Sequence, residues 1–588
     1  MKSLKNQLTE IMSTAFAASG FDMSFGEVTI STRPELGDFQ CNGAMAVAQQ
    51  TKTNPRQIAD QLVRQLSQSE IFEKITIDGP GFINLTVTRE FLLEHTRQLL
   101  DDEYLGCRLE DTPQKILIDY GGPNVAKPLH VGHLRSAIIG ESIKRIARYV
   151  GHDVVGDVHL GDWGLQMGMI ICELRERQPD LPYFDDTHSG SYPVESPVTT
   201  EDLEEIYTTA SKKSKADDSF MEAARKATSD LQQGKLGYYA LWKHIVNVSL
   251  ASLKEDYENL DVHFDLWLGE SDVQQLIPDM VEKMVSSGIA HESGGALIVD
   301  GIVYNDHDLP PLILLKSDKA ALYSTTDLAT IYQRVQEHNV DAIWYVVDNR
   351  QSNHFLQVFD VAYRSNLLPS SVRLEHLGFG TMNGPDGKPF KTREGGVLKL
   401  KDLMTLVISE AKQQIENVKT GEDYSKEEKE NIALKVGIAT IKFADLQNYR
   451  VRDYVFDVNR FAEFEGKTGP YMLYTVTRIK SILRKAREQH MHIGPLMLTD
   501  IPIERNLLLK VLEFPNILSF SFETRAPHHL CHYLYELASL FSSFYHDFHI
   551  LNEQLQDIQA SRLELLQIII TVLEQGLYLL GIETLDYM

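Results

Sequence analysis

Four cysteines are all that 588 residues contain, and Cys41, Cys107, Cys172 and Cys531 lie far apart with no Cys-x-x-Cys pair among them. That spacing argues against a structural zinc site and against a disulfide framework, and a reducing cytoplasm is the simplest home. No apolar run is long enough to span a bilayer. The opening Met-Lys-Ser-Leu-Lys-Asn-Gln-Leu-Thr-Glu lacks the apolar centre of a signal peptide. Low-complexity tracts and fixed-period repeats are also missing. So is an excess of positive charge: 57 Lys and Arg against 83 Asp and Glu leave a formal net charge of −26. Taken over the whole chain, that balance disfavours nucleic acid, whose affinity comes largely from cations on phosphates. A basic face can still sit on an acidic body. Residues 478–490 make one, with Arg478, Lys480, Arg484, Lys485 and Arg487 relieved by a single acid, Glu488. By itself such a run is more often a solvated helix face.

What is present points to an ordinary globular chain of several domains: 588 residues exceed one core, with 43% apolar and 24% charged content. Residues 1–108 read as a small α/β module. Helical spacing runs from Leu4 to Phe16 and through Ile58, Leu62 and Leu66, and short strands flank Gly79-Pro80-Gly81. Residues 109–405 alternate strand-like and helix-like segments, which implies a parallel sheet. Its strand candidates are 116–118, 154–158, 312–315 and 343–347. A polar, proline-bearing stretch belongs to an insertion at about 175–300. A helical connector over 406–455 and an all-helical domain over 456–588 complete the division.

The chemistry concentrates where an apolar run, 116–118, ends in Gly121-Gly122-Pro123 and a His-x-Gly-His, His130 to His133, opens a helical stretch. That order sets two imidazoles and bare backbone at the carboxyl end of a buried strand, where open α/β sheets bind nucleotides. Two donors beside a helix N-terminus suit a polyphosphate whose charge grows during reaction. Gly132 leaves room for a flat adenine against the backbone. A pair of surface histidines in a loop is the plain alternative.

The segment 119–136, with Pro-Asn-Val-Ala-Lys-Pro-Leu-His-Val-Gly-His-Leu-Arg-Ser inside it, resembles the arginyl-tRNA synthetases, which are class I aminoacyl-tRNA synthetases. Further stretches resemble the family in the same order: His-Leu-Gly-Asp-Trp-Gly-Leu-Gln at 159–166, Tyr-Ser-Thr-Thr-Asp at 323–327, and Val-Asp-Asn-Arg-Gln-Ser-Asn-His at 347–354. Gly-Lys-Thr-Gly-Pro-Tyr at 466–471 and the final Leu-Gly-Ile-Glu-Thr-Leu-Asp-Tyr-Met follow. The fold implied is a Rossmann-like parallel-sheet catalytic domain between a small N-terminal α/β domain and an all-α anticodon-binding domain. The reaction implied is attack of the arginine carboxylate on the α-phosphate of ATP, carried with Mg2+, and then transfer of arginine to the 3′ end of its tRNA. Such a reaction needs positioning and charge stabilisation more than proton transfer. Loss of His130 or His133 is expected to cost on the order of a hundredfold in rate.

The resemblance also assigns residues. The family's mobile Lys-Met-Ser-Lys-Ser loop corresponds to 388–396, where Lys391 and Arg393 depart from the pattern but can meet phosphates. Lys127, three residues before the first histidine, compensates for such a loop in some members. Tyr323 and Asp327 fall one turn apart on a helix face and are assigned to the guanidinium, which a carboxylate binds as a fork. Asn124 and Gln351 suit the amino and carboxylate end, with Asp119 and His354 in the same crevice. Gly121 and Gly122 replace residues that are more often small and polar in the family. Asp162 and Trp163 are equally a pocket wall or a turn residue and a core aromatic. Tyr471, Tyr474 and Arg478 share a helix face that suits unstacked anticodon bases, joined by Tyr587 and Met588 at the end. In the N-terminal module, Phe39, Gln40 and Asn84 are expected to contact the tRNA corner. No metal ligands are assigned, and a monomer without membrane contact is expected.

Other readings are weaker. A cysteinyl enzyme requires a zinc-ligand cluster, and the aliphatic synthetases carry a larger editing insertion. A small nucleotidylyltransferase leaves the last third of the chain unexplained. A catalytically silent tRNA-binding homologue has only the altered 388–396 loop in its favour.

Overall fold

The computed structural model describes residues 2–588 except 68, 109–112, 305–306, 318, 389, 391–397 and 418–423. Lys391 and Arg393 lie outside the described residues.

Five strands form a wholly parallel sheet in the order Arg373–His376, Ala342–Tyr345, Lys115–Asp119, Asp153–Leu160, Leu266–Gly269. Its central strands are buried on both faces, as helix-covered parallel strands must be. Alternation divides them between two cores. Ile116, Ile118, Ala342 and Trp344 face one, while Leu117, Ile343 and Tyr345 face the other. One strand expectation changes here. Leu312–Leu315 leaves the parallel sheet and pairs antiparallel with Ala296–Val299, itself paired with Ala290–Ser293. Its Ile313 is 41% exposed, which suits a sheet wet on one side. The two edge strands carry no long apolar run, three of the four residues of Arg373–His376 being charged or polar, and so gave no sequence signal.

Helices Thr200–Ala216, Asp218–Gln232 and Leu236–Asn259 stand between the fourth and fifth strands in that order. The insertion expected to reach about 300 therefore overruns, because Leu266–Gly269 is already an edge of the main sheet. The boundary expected at 405 falls inside helix Leu400–Asn417.

The N-terminal module is a four-stranded antiparallel sheet, Val28–Ile30, Phe39–Cys41, Phe82–Val87, Phe72–Asp78, backed by helices Leu4–Ala18 and Pro55–Leu66. The C-terminal part is a bundle built from Gly469–Glu488, Pro502–Leu512, Phe514–Glu523, His528–Asp547 and Gln556–Leu579. Gln556–Leu579 is apolar nearly all round and correspondingly buried within the bundle. Among the described residues no helix is long and apolar enough to cross a membrane.

Candidate active site

Helix Val131–Tyr149 follows the central strand Lys115–Asp119 and starts at His130. The link between them is held in place by backbone. Gly121 takes φ +85°, and a Cβ there would meet the Phe264 ring at 2.9 Å and the Tyr257 hydroxyl at 3.0 Å. A small polar side chain does not fit that position, so the departure at Gly121 follows from how Phe264 and Tyr257 pack. Val125 N–H donates to the Gly161 carbonyl at 3.0 Å, which sets Asn124 beside Gly161 at the end of the neighbouring strand.

The two imidazoles cap their own helix. His130 Nδ1 accepts from Gly132 N–H at 3.0 Å, and His133 Nδ1 accepts from His130 N–H at 3.1 Å. The rings stack with centroids 3.8 Å apart. An Nδ1 that accepts leaves the proton on Nε2. Both side chains therefore present Nε2–H donors. Burial, then the neighbouring His130 and Lys127, push His133 down to about 3. Burial and Lys127 likewise lower His130. Both rings stay neutral near pH 7 and donate hydrogen bonds without adding net charge. Lys127 lies 4.8 Å over the Tyr207 ring of the inserted helices.

The segment after the signature loop is tied to this corner. Val131 N–H donates to Leu398 O at 3.2 Å and Leu400 N–H to Leu129 O at 2.8 Å. Leu398 N–H also reaches Phe390 O at 3.4 Å, so the residues flanking 391–397 meet beside His130.

The opposite wall comes from the second half of the sheet. Tyr323 opens helix Tyr323–His338, is 61% exposed, and packs its ring 4.6 Å from that of His354. Asp327 Oδ2 pairs with His354 Nε2 at 2.5 Å. A third group, Glu270, stands with them and was missed in the sequence. Burial, then the charges of Asp162 and Asp327, push its carboxyl up to about 7. It follows a short edge strand with no motif around it, so only the fold brings it here. Gln351 is exposed at the start of helix Ser352–Arg364. The adjacent Arg350 is held by Asp348, Nη2 donating to Oδ2 at 2.7 Å, and its charge adds slightly to the lowering of His130.

Asp119 is corrected. Its Oδ2 accepts from Arg334 Nη2 at 2.6 Å, and the same Nη2 donates to Asp157 Oδ2 at 2.6 Å. Arg334 is fully buried on the helix that carries Tyr323 and Asp327. Asp119 Oδ2 is thus engaged in holding that helix on the sheet, which makes a structural role the first one its carboxylate serves. Asp162 is buried and accepts from Ser271 Oγ at 2.6 Å and Ser271 N–H at 3.0 Å, while Trp242 Nε1–H donates to the Asp162 carbonyl at 2.8 Å. Trp163 packs edge-on to Trp242 at 5.0 Å. Both act as wall.

Further away, Tyr471, Tyr474 and Arg478 are half-buried on helix Gly469–Glu488. Tyr471 hydroxyl pairs with Ser542 Oγ at 3.0 Å, and the Arg478 guanidinium stacks on the Tyr474 ring at 4.4 Å. Arg484, Lys485 and Arg487 continue the face into solvent, whereas Lys480 is taken up by Glu574 and Asp586 at 2.7 and 2.8 Å. Met588 is half-buried, and Tyr587 hydroxyl donates to Glu428 Oε1 at 3.0 Å. In the N-terminal module, Phe39 is 4% exposed and is a core residue, so it offers no free ring face to a base. Asn84 is 1% exposed, with Oδ1 accepting from Gln40 Nε2 at 2.8 Å. Of the three expected contacts only half-buried Gln40 reaches the surface.

The sequence matches the family described as tRNA synthetases class I (R), catalytic domain, over residues 95–458. The chain belongs to the arginyl-tRNA synthetase family. Residues 2–87 match the arginyl tRNA synthetase N terminal domain and 472–588 the DALR anticodon binding domain. Arginine–tRNA ligases of Agathobacter rectalis and Alkaliphilus oremlandii are each 50% identical over the full length of both chains. The Francisella tularensis ligase is 44% identical over 99% of each. Among solved structures, arginyl-tRNA synthetase of Plasmodium falciparum superposes with TM-score 0.81 at 25% identity and that of Thermus thermophilus with 0.77 at 22%, both over whole chains. The arginyl-tRNA synthetase fold is thereby the fold of this chain.

Proposed function

We infer that the crevice between His130 and Asp327 joins arginine to the 3′ end of its tRNA at the expense of ATP. The protein is an arginine–tRNA ligase. In the first step an arginine carboxylate oxygen attacks the α-phosphorus of ATP, the bond to the bridging oxygen breaks, and pyrophosphate leaves. In the second a terminal tRNA hydroxyl takes the arginyl group and AMP departs.

One observation carries the arginine assignment. Asp327 stands on the face of Tyr323, its Oδ2 on His354 Nε2 at 2.5 Å with the Tyr323 ring 4.6 Å from that imidazole. Glu270, raised mainly by burial, lies within reach of its charge, so a bound cation relieves the wall. A guanidinium satisfies that wall as a planar fork, with the Tyr323 ring against it. Asn124 and Gln351 serve the amino and carboxylate end. His130 and His133 donate Nε2–H to the phosphates, Gly132 seats the adenine, and Lys127, Lys391 and Arg393 neutralise the leaving pyrophosphate. Magnesium arrives with ATP. The phosphates would supply most of its coordination. Tyr471, Tyr474, Arg478 and Met588 contact the anticodon arm, with Arg484, Lys485 and Arg487 on phosphates, and Gln40 touches the tRNA corner. The protein works in the cytoplasm as a monomer.

A pyrophosphate-exchange assay with the twenty amino acids, with and without tRNA, tests this reading. Exchange is expected with arginine and tRNA together and in no other combination. Exchange with a different amino acid, or none at all, would remove the assignment.

A further inference from the structure

The N-terminal module meets the helical domain across a poorly filled face. A cavity of about 900 Å3 opens there, walled by Leu4, Leu36 and Ile30 on one side and Pro502, Leu509 and Leu512 on the other. Close packing normally fixes orientation at such a junction, and a void forfeits those contacts. What spans it is polar. Arg505, on helix Pro502–Leu512, lays its fork on Asp38, with Nε donating to Oδ1 at 2.9 Å and Nη2 to Oδ2 at 2.6 Å. The same Nη2 donates to the Val87 carbonyl at 2.6 Å, and Val87 N–H donates to Asp38 Oδ2 at 2.9 Å. Asp38 is itself strapped into the sheet, its N–H on Leu85 O and its carbonyl receiving Ser31 N–H, both at 2.9 Å. The side chains are 19% and 7% exposed.

Among the described residues, two other side-chain polar links cross the face, and both are slighter. Ser3 Oγ donates to Asn516 Oδ1 at 2.6 Å. Arg89 reaches the Leu498 carbonyl at 3.2 Å and the exposed Asp500 carboxylate. A single neutral bond and a solvated ion pair hold orientation weakly.

We propose that Asp38 and Arg505 are a positioning pair that locks the N-terminal module to the helical domain and so sets the spacing of two RNA-contacting surfaces. The inference rests on the tRNA contacts proposed above. A bidentate fork fixes angle as well as distance, which a lysine in the same place does not. Two surfaces on one rigid body engage one RNA at high effective concentration, and a slack joint lowers it. Neither residue touches arginine or ATP.

The test uses the full chain with Arg505→Ala, Asp38→Asn and Arg505→Lys. Steady-state aminoacylation reads the KM for tRNA, and spin labels at Gln57 and Leu555 read the distance between the two parts. For Arg505→Ala and Asp38→Asn the tRNA KM is expected to rise roughly tenfold, with kcat and the arginine KM within about twofold of wild type. The label distances broaden. Arg505→Lys, which keeps the charge and loses the fork, falls between. Asp38→Asn preserves shape and guards against a folding failure. A distance distribution as narrow as wild type would show that other contacts hold the module. Broad distances with an unchanged tRNA KM would sever the lock from RNA binding. Wild-type protein that binds no tRNA would instead remove the reading underneath.

Discussion

Asp327 and Glu270 have to do with one ligand what neither does alone. Asp327 is paired to His354 at 2.5 Å, and in the proposed complex arginine would replace that donor with a forked, permanently charged one. Asp327→Ala is expected to raise the arginine KM by roughly a hundredfold while the ATP KM stays near wild type. An unchanged arginine KM would discard the pocket assignment. Glu270 makes the same pocket pH-sensitive. Its carboxyl titrates at about 7 rather than the ordinary 4.5, chiefly through burial, so at pH 6 it is mostly protonated. Arginine favours the ionised form. Its affinity is therefore expected to fall as pH drops below 7, approaching about tenfold per unit, and Glu270→Gln removes the slope. For the fold alone the sign is opposite. A raised carboxyl contributes stability at low pH, and that contribution is lost as pH climbs through 4.5 to 7. Titrating arginine binding by calorimetry between pH 6 and 8 checks the first claim, and a flat profile would contradict it.

At the scale of one element, helix Val131–Tyr149 is organised around its first turn. His130 and His133 cap the helix and donate to the crevice with the same rings, so capping fixes tautomer and direction together. Gly132 lies tight against this cap: a Cβ there would lie 2.8 Å from His130 Cε1 and 2.9 Å from its Nδ1. The ring can swing aside, so Gly132→Ala is expected to fold normally. The swing moves Nε2 off the phosphates, and kcat/KM for ATP falls by roughly a hundredfold. Kinetics near wild type would mean the ring has no role in holding ATP. This helix was legible in sequence because a strand, a glycine turn and a His-x-Gly-His followed in order. The anticodon-side helix was legible in part. The spacing of Tyr471, Tyr474 and Arg478 puts them on one face, but periodicity does not say that Arg478 covers the Tyr474 ring. The edge strands were not legible, since Arg373–His376 and Leu266–Gly269 gain their conformation from a neighbour's hydrogen bonds.

Across the whole molecule, buried ion pairs bind the domains together. Arg135, on the catalytic helix, donates to Asp445 of helix Lys426–Leu446 at 2.9 Å with both side chains out of solvent. It also donates to the Gly380 carbonyl at 2.6 Å. Arg135→Ala leaves Asp445 buried and uncompensated, which is expected to lower unfolding stability by about 3–5 kcal/mol. A loss below about 1 kcal/mol in denaturant melts would show that the interior relaxes around it. Arg145 acts similarly further along the same helix, joining Glu141 at 2.8 Å to the Tyr578 carbonyl at 3.0 Å near the end of the last long helix.

The chain's local order decided the broad plan: an α/β module, a parallel sheet with its imidazole-bearing turn, a helical end, and a tyrosine and an aspartate one turn apart on a helix face. These follow from period, turn chemistry and motif order, all of which act over a few residues. Partnership across long separations was decided only in three dimensions. Asp119 went to Arg334, Phe39 to the core, Leu312–Leu315 to another sheet, and Glu270 into the pocket beside Asp327. A carboxylate or a ring looks the same in sequence whether it meets ligand, ion-pair partner or core. Burial and the nearest charge settle which, and both arise only when distant segments pack.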